Sequence, residues 1–416
     1  MVVFVIVAFI ASVMKAKGVP RFIGTIMMGT GIGLELYKGA GIDGISEGIL
    51  LILPLLCLVT LAPLLSIPLK LGGYFEAIDI LLRNLLHHPK RLFAGITTSL
   101  FILSPILSLG SVRLISEFLS DLKLPSAMSA KSYLIGFSTA ILWSPYFASV
   151  SLVLYYLDMP VGNYILYGIG LSVLSLTVGN ILFAVWEKRH PIENQTVPEV
   201  PLGKKTKKQL IQLALFVSLL MIVSLIIEFI TQWSMIVIVC MISCIMPIIW
   251  GFSTKSWTKL IPLLKNYRDQ SVPIMNNEIM LFSSAGLLAH ALQGTELANQ
   301  ISDFLTIAAS QSFLLFALFV ILLVVITTYI GIHQIAVIAA LAMQLNADQL
   351  GISNLSLAML LLLCWSISTA LSPFSGLNLM VSRIVGISGF DAGIRANGLH
   401  LIVMAVIGIG IIMFIN

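Results

Sequence analysis

Long apolar runs alternating with short charged segments set the pattern of this chain. They fall at about 1–14, 22–37, 48–68, 92–120, 131–158 and 161–186, and then at about 210–229, 233–251, 273–292, 313–345, 354–382 and 396–415. Most approach the ~20 residues that a helix needs to cross a bilayer, which predicts an all-α polytopic membrane protein. Between the two sets lies a polar linker, 187–209, with Lys188, Arg189, Lys204, Lys205, Lys207 and Lys208, and with Pro191, Pro198 and Pro201 breaking any helix. Positive charge marks cytoplasmic loops, so the linker is placed in the cytoplasm.

Parity then constrains the path. Counting forward from the start puts 15–21 inside, 38–47 outside and 69–91 inside. Counting back from the linker puts residue 131 inside as well. The run 92–120 must therefore begin and end on one side. Its roughly 29 residues are too few for two spans of ~20, which predicts a re-entrant hairpin. Irregular backbone at membrane depth survives only where protein or a wet cavity covers it. The same count makes 313–345 a hairpin from the opposite face. Gly73–Leu86 and Glu296–Leu305 carry apolar residues at helical spacing with charges opposite, as expected of helices lying along the interface, although ordinary connecting helices would look similar. Each half thus reads as three spans, an amphipathic arm helix, a hairpin and a broken-helix pair. This gives about 10 transmembrane helices plus two hairpins in two inverted-topology repeats, 1–186 and 210–416.

Composition agrees. Charged residues are 10% of the chain and hydrophobic ones 58%, against ~25% charged in ordinary soluble domains. The net charge of +5 sits in the short loops, which fits a cytoplasmic membrane face and not a nucleic-acid surface. Met1–Met14 has no positive charge before it, so it reads as a first span and not as a signal peptide. It is short, and either leans on its neighbours or extends beyond the start of this sequence. Cys57, Cys240, Cys244 and Cys364 lie inside apolar runs and read as small core thiols.

Self-similarity supports the repeat. Ile96-Thr97-Thr98 recurs as Ile326-Thr327-Thr328, and Ser138-Thr139-Ala140 as Ser368-Thr369-Ala370, both offset by 230 positions. Ser144-Pro145-Tyr146 and Ser372-Pro373-Phe374 follow with a two-residue slip. Proline in a spanning helix frees a backbone carbonyl, and small hydroxyls beside it can hold an ion or ligand. Broken helices of this kind present positive helix ends and free carbonyls to solutes and coupling ions. The candidate substrate and ion residues are therefore Ser104, Pro105, Ser138, Thr139, Ser144, Pro145, Thr328, His333, Gln334, Ser368, Thr369, Ser372, Pro373, Ser375 and Asn378. The repeat offset sets Leu103-Ser104-Pro105 opposite His333-Gln334-Ile335. His333 is an ionisable group in the middle of the second hairpin, a ligand contact or proton carrier. Asp and Glu are missing from the hairpin cores and both Ser-Pro helices, which weakens a cation exchanger. Hydroxyls, amides, helix ends and one His suit a small anionic or polar solute. Na⁺ at the Ser144 and Ser372 breaks, or H⁺, would be the coupling ion. No resident metal or other cofactor is expected, and there is no metalloprotease or serine-hydrolase motif, so an intramembrane enzyme is disfavoured.

With these features the chain resembles the ion transporter superfamily, which includes divalent anion/sodium symporters, arsenite efflux permeases and large subunits of tripartite periplasmic transporters. The carrying segments are Glu278–Gln293, similar to the helix before that group's second arm, and Ser368-Thr-Ala-Leu-Ser-Pro-Phe-Ser-Gly-Leu-Asn378, similar to its second broken helix. The resemblance implies a homodimer with an elevator mechanism, in which hairpins and broken helices slide past a scaffold, and in which Ser144, Pro145, Ser372, Pro373 and Asn378 border the sites. The Ser-Asn-Thr motif of the divalent-anion symporters is absent from both hairpins, so no branch is assigned. The expectation is a secondary active transporter of a small organic or inorganic anion in the plasma (cytoplasmic) membrane of a bacterium. The alternative is an efflux permease for a neutral oxyacid or a transporter of a lipid-linked anion.

Overall fold

The structure, a computed structural model, describes residues 1–416 except 17, 123 and 193–201. Pro198 and Pro201 of the expected linker, with Lys123, lie outside the described residues. The protein is an α-helical polytopic membrane protein. Among the described residues nine helices are long and apolar enough to cross a membrane. That differs from ten spans plus two hairpins, because the long arms of both hairpins qualify while three expected spans do not. Those three are Val2–Lys15, Val19–Tyr37 and Asn276–Leu292. They are short or polar at one end, and they pack on one another and on Gly41–Leu61. Ser12 of the first helix donates to the Asn276 side chain at 3.5 Å, so the short first helix does lean on a neighbour.

Burial separates two kinds of helix. The broken helices, Ser126–Tyr156 and Asn354–Val385, are each 89% buried, against 28% for Lys204–Thr231 and for the long arm of the second hairpin. An apolar helix buried over so little of its surface needs lipid on the rest, whereas the broken helices are surrounded by protein. They form the core of the molecule, with Val161–Arg189 and Ala396–Ile415 packed alongside.

These two core elements run antiparallel. Ser126, opening the first, donates to the carbonyl of Val385, closing the second, at 2.9 Å. Midway, Ser366 donates to the carbonyl of Ser138 at 2.9 Å. Start meets end and middle meets middle along the pair.

Each hairpin returns to the helix that precedes it. The first comprises Pro89–Leu107 and Leu109–Phe118. The hydroxyls of Ser104 and Ser111 share a hydrogen bond at 2.8 Å across its turn. In a continuous helix residues seven apart would stand ~10 Å from one another, so the chain reverses at Ser108. The exit is tied back by Arg83 of the arm helix Tyr74–Asn84, which donates to the Phe118 carbonyl at 2.9 Å and pairs with Asp121 at 2.9 Å. The second hairpin comprises Phe313–Ile330 and Gln334–Gln344, and Gln344 donates to Asn299 of the other arm helix, Glu296–Gln311, at 3.3 Å.

Boundaries differ in the polar segments. Helix Val161–Arg189 runs into the expected linker, and Lys204–Thr231 begins within it. Once the prolines are passed, Lys, Thr and Gln carry no helix-breaking feature, and Lys188 and Arg189 complement the negative helix end. Between Met235–Ser253 and Asn276–Leu292 lies an amphipathic helix, Trp257–Asn266, that covers Ile67 with Leu260.

Candidate functional site

Both broken helices stop in the same way. The amide of Ser144 donates to the Ala140 carbonyl, and that of Ser372 to the Ser368 carbonyl. After each serine the side-chain oxygen accepts from the amide two residues on, Tyr146 at 3.3 Å and Phe374 at 3.2 Å. This small turn ends the helix and lets a second half-helix begin, at Ala148 and at Gly376. Serine is suited to it because its short hydroxyl caps its own backbone, and proline next in line has no amide to leave unpaired. The hydroxyl of Ser151 donates to the Pro145 carbonyl at 2.5 Å, and that of Ser375 to the Thr369 carbonyl at 2.6 Å.

The second break is the more polar. Ser372 donates to the Thr328 carbonyl at 2.9 Å, fastening the break to the long arm of the second hairpin. Gln334, opening the short arm, donates to Thr369 Oγ1 at 3.2 Å with both side chains buried. His333 caps that arm, its Nδ1 accepting from the Ile335 amide at 3.3 Å. The turn before it needs Gly331, at φ 106°, where a β-carbon would be strained. Ser375 caps the second half-helix by accepting from the Asn378 amide at 3.0 Å. Asn378 is fully buried; its Nδ2 donates to the carbonyls of Ala370 and Gly389 at 3.3 and 2.9 Å, and its Oδ1 has no partner. Thr328, His333, Gln334, Ser372 and Ser375 line one cavity of about 30 Å³, closed on the far side by Pro20, Ile23 and Leu281. That is room for about two waters or one small charged group.

The first break is tighter and more apolar. Pro105, Trp143, Ser144 and Tyr146 face helix Lys204–Thr231 across a gap of about 10 Å³. Tyr146 shares a hydrogen bond with Ser224 at 2.6 Å and donates to the Leu220 carbonyl at 3.2 Å. The register that pairs Ser144 with Ser372 puts Val150 opposite Asn378, so the amide oxygen is a feature of one half.

Not every predicted residue reaches a cavity. Ser138, Thr139 and Ser368 donate to the carbonyls of Ile135, Gly136 and Trp365 one turn back, and Ser104 spends its hydroxyl on Ser111. Pro373 packs against Gly389, where a β-carbon would stand 2.9 Å from it. The hairpin register also departs from the 230-residue offset. The first hairpin turns at Ser108, after Ser104-Pro105, and the second at Gly331, before His333-Gln334. Ser104-Pro105 closes a long arm while His333-Gln334 opens a short one, so the two are not counterparts. Ser108 is exposed and held at φ 48°, a left-handed conformation costly for a residue with a β-carbon.

Sequence reasoning missed the phenol of Tyr146, the crossing hydroxyl of Ser366 and the wall formed by Pro20, Ile23 and Leu281. The contrast of Tyr146 with Phe374 in otherwise matched triplets was the available signal for the first. Glu278 was also passed over as a site residue; its Oε2 is buried without a hydrogen-bond partner, less than one helical turn from Leu281.

No protein-family model matches the chain, and no curated protein matches it. A solved structure does: the YdaH transporter of Alcanivorax borkumensis, described as revealing an unusual topology. The likeness has a TM-score of 0.58 at 14% identity, covering 95% of this chain and 99% of that one. The likeness spans nearly the whole length of both chains, so this protein shares the overall fold of that structure.

Proposed function

We propose that this protein is a secondary active transporter of a small organic or inorganic anion, coupled to Na⁺ or H⁺. The observation that carries the reading is the meeting of the second hairpin with the second break, where hydroxyls, an amide and a histidine line one small cavity. Carboxylates are missing from its lining, and the short arm and the second half-helix both begin there, so their positive ends favour an anion. The unpaired Oδ1 of Asn378, a pure acceptor among backbone carbonyls, suits a hard cation such as Na⁺.

The transport domain comprises the two hairpins, the broken helices and their flanking helices Val161–Arg189 and Ala396–Ile415. The remaining helices form the scaffold, in a homodimer, past which that domain slides. In support, the first break meets helix Lys204–Thr231 through Tyr146, and the second meets Pro20, Ile23 and Leu281 through side-chain packing. Such surfaces can exchange partners without breaking a helix. Uptake of labelled carboxylates and oxyanions into proteoliposomes tests the reading. Accumulation that requires an inward Na⁺ or H⁺ gradient supports it, and flux of no anion under either gradient overturns it.

A further inference from the structure

The polar cavity at the second break, about 30 Å³, is too small for the carbon skeleton of an organic anion. A second cavity of about 360 Å³ adjoins it, within the ~300–1,000 Å³ of ordinary small-molecule sites. The two share Ile332 as a common wall. Thr327 lines the large cavity and its neighbour Thr328 the small one, while on helix Val19–Tyr37 the lining passes from Ile23 to Met27 one turn on. Leu288, Ala336, Val337, Ala340 and Leu341 make the large cavity almost wholly apolar. Its rim includes Leu297, which is 60% exposed on an outer face that also exposes Phe304 and Ile307. An apolar chamber beside an exposed apolar face, with a polar pocket just across Ile332, pairs the two chemistries of an amphiphile.

We infer that the substrate is an amphiphilic anion: its charged end enters the polar cavity beside His333, Gln334 and Ser372, and its alkyl part fills the apolar cavity. This rests on the reading of the second break as the anion site and adds the class of the organic part. An alkyl chain in the large cavity leaves no buried polar group unpaired, whereas a polar skeleton there would lose its hydration without compensation.

The test uses straight-chain carboxylates from butyrate to decanoate and the full-length protein in lipid nanodiscs, with protein-free nanodiscs as the blank. Two variants fill the apolar cavity from opposite walls, Ala340→Trp and Thr30→Trp; Thr30 is exposed, so its replacement tests occupancy without disturbing the core. The expected result is affinity that tightens roughly fourfold per added methylene, from ~0.8 kcal/mol for each buried CH₂. Both variants should flatten that dependence, with an affinity loss that grows from butyrate to decanoate. Affinity independent of chain length in the wild type, or a slope that both variants retain, overturns the inference. Butyrate binding that Ser372→Ala abolishes, without any chain-length effect, would keep the anion site and reject the amphiphile. A chain-length effect that Ser372→Ala leaves untouched would reject the polar site as the anchor, and this inference with it.

Discussion

The hydroxyl of Ser372 lies 2.9 Å from the carbonyl of Thr328 and joins the second broken helix to the second hairpin. Both residues stand where their helices lose regular hydrogen bonding, one at a Ser-Pro break and the other one turn before Gly331. Because this bond ties two interrupted helices, a shift of the hairpin is felt at the break, and the cavity between them can open only if the bond is exchanged.

Ser372→Ala removes that tie and the hydroxyl from the cavity lining. The Thr328 carbonyl keeps the Gly331 amide as a donor, so the stability loss should be about 1 kcal/mol. Transport should fall at least tenfold. Ser144→Ala, at the tighter first break, should cost less transport. Equal flux in wild type and Ser372→Ala would move the site elsewhere.

His333 can be tested as cap and proton carrier separately. Its Nδ1 accepts from the Ile335 amide, and a protonated Nδ1 could not. His333→Asn preserves a capping acceptor, whereas His333→Ala removes one at a cost of about 1 kcal/mol. Transport by the Asn variant should lose its pH dependence at near wild-type stability. A pH profile identical to wild type would leave His333 as a cap alone.

The tie between Arg83 and Asp121 should hold the exit of the first hairpin. The Arg83 hydrogen bond holds the Asp121 carboxyl below the usual carboxylate range. A depressed folded-state pKa contributes stability above the unfolded value of ~3.9, and that contribution is lost as pH falls through the lowered one. Asp121→Asn should therefore speed amide exchange around residues 118–122 at pH 6, with the difference from wild type narrowing as the pH falls below the unfolded value of ~3.9. A difference that does not narrow at all as the carboxyl is titrated below that value would assign the effect to something other than this charge.

The antiparallel core predicts sidedness. Asp158 lies in the turn that ends the first broken helix and Ser388 just beyond the end of the second. Single cysteines at these positions, in a background without the four native ones, should react with an impermeant thiol reagent from opposite sides of the membrane. Labelling of both from one side would contradict the inverted arrangement.

Much of this architecture was legible because lipid imposes a coarse rule on sequence. Charge between apolar runs gave the parity, and parity exposed a run too long for one span and too short for two. The Ser-Pro triplets located both breaks because proline leaves a chemical mark wherever a helix must stop. The hairpin turns were less legible. The residue that reverses the chain in the first hairpin, Ser108, is itself neither glycine nor proline, and a shared tripeptide ahead of each turn suggested a register that the turns do not keep. Tertiary partners were hidden for another reason: a seryl hydroxyl in a helix can bond one turn back or across to a neighbour, and Ser138 and Ser366 differ in this without any local sequence cue.

The most direct test of the central claim is the thermal stability of the purified protein with small carboxylates and oxyanions, each with and without Na⁺ and at two pH values. A ligand at a hundredfold excess over its Kd stabilises the folded state by ~2.7 kcal/mol. The account predicts a shift that needs an anion together with Na⁺ or with the lower pH, and that Ser372→Ala removes. Stability unmoved by every anion under every condition would contradict it.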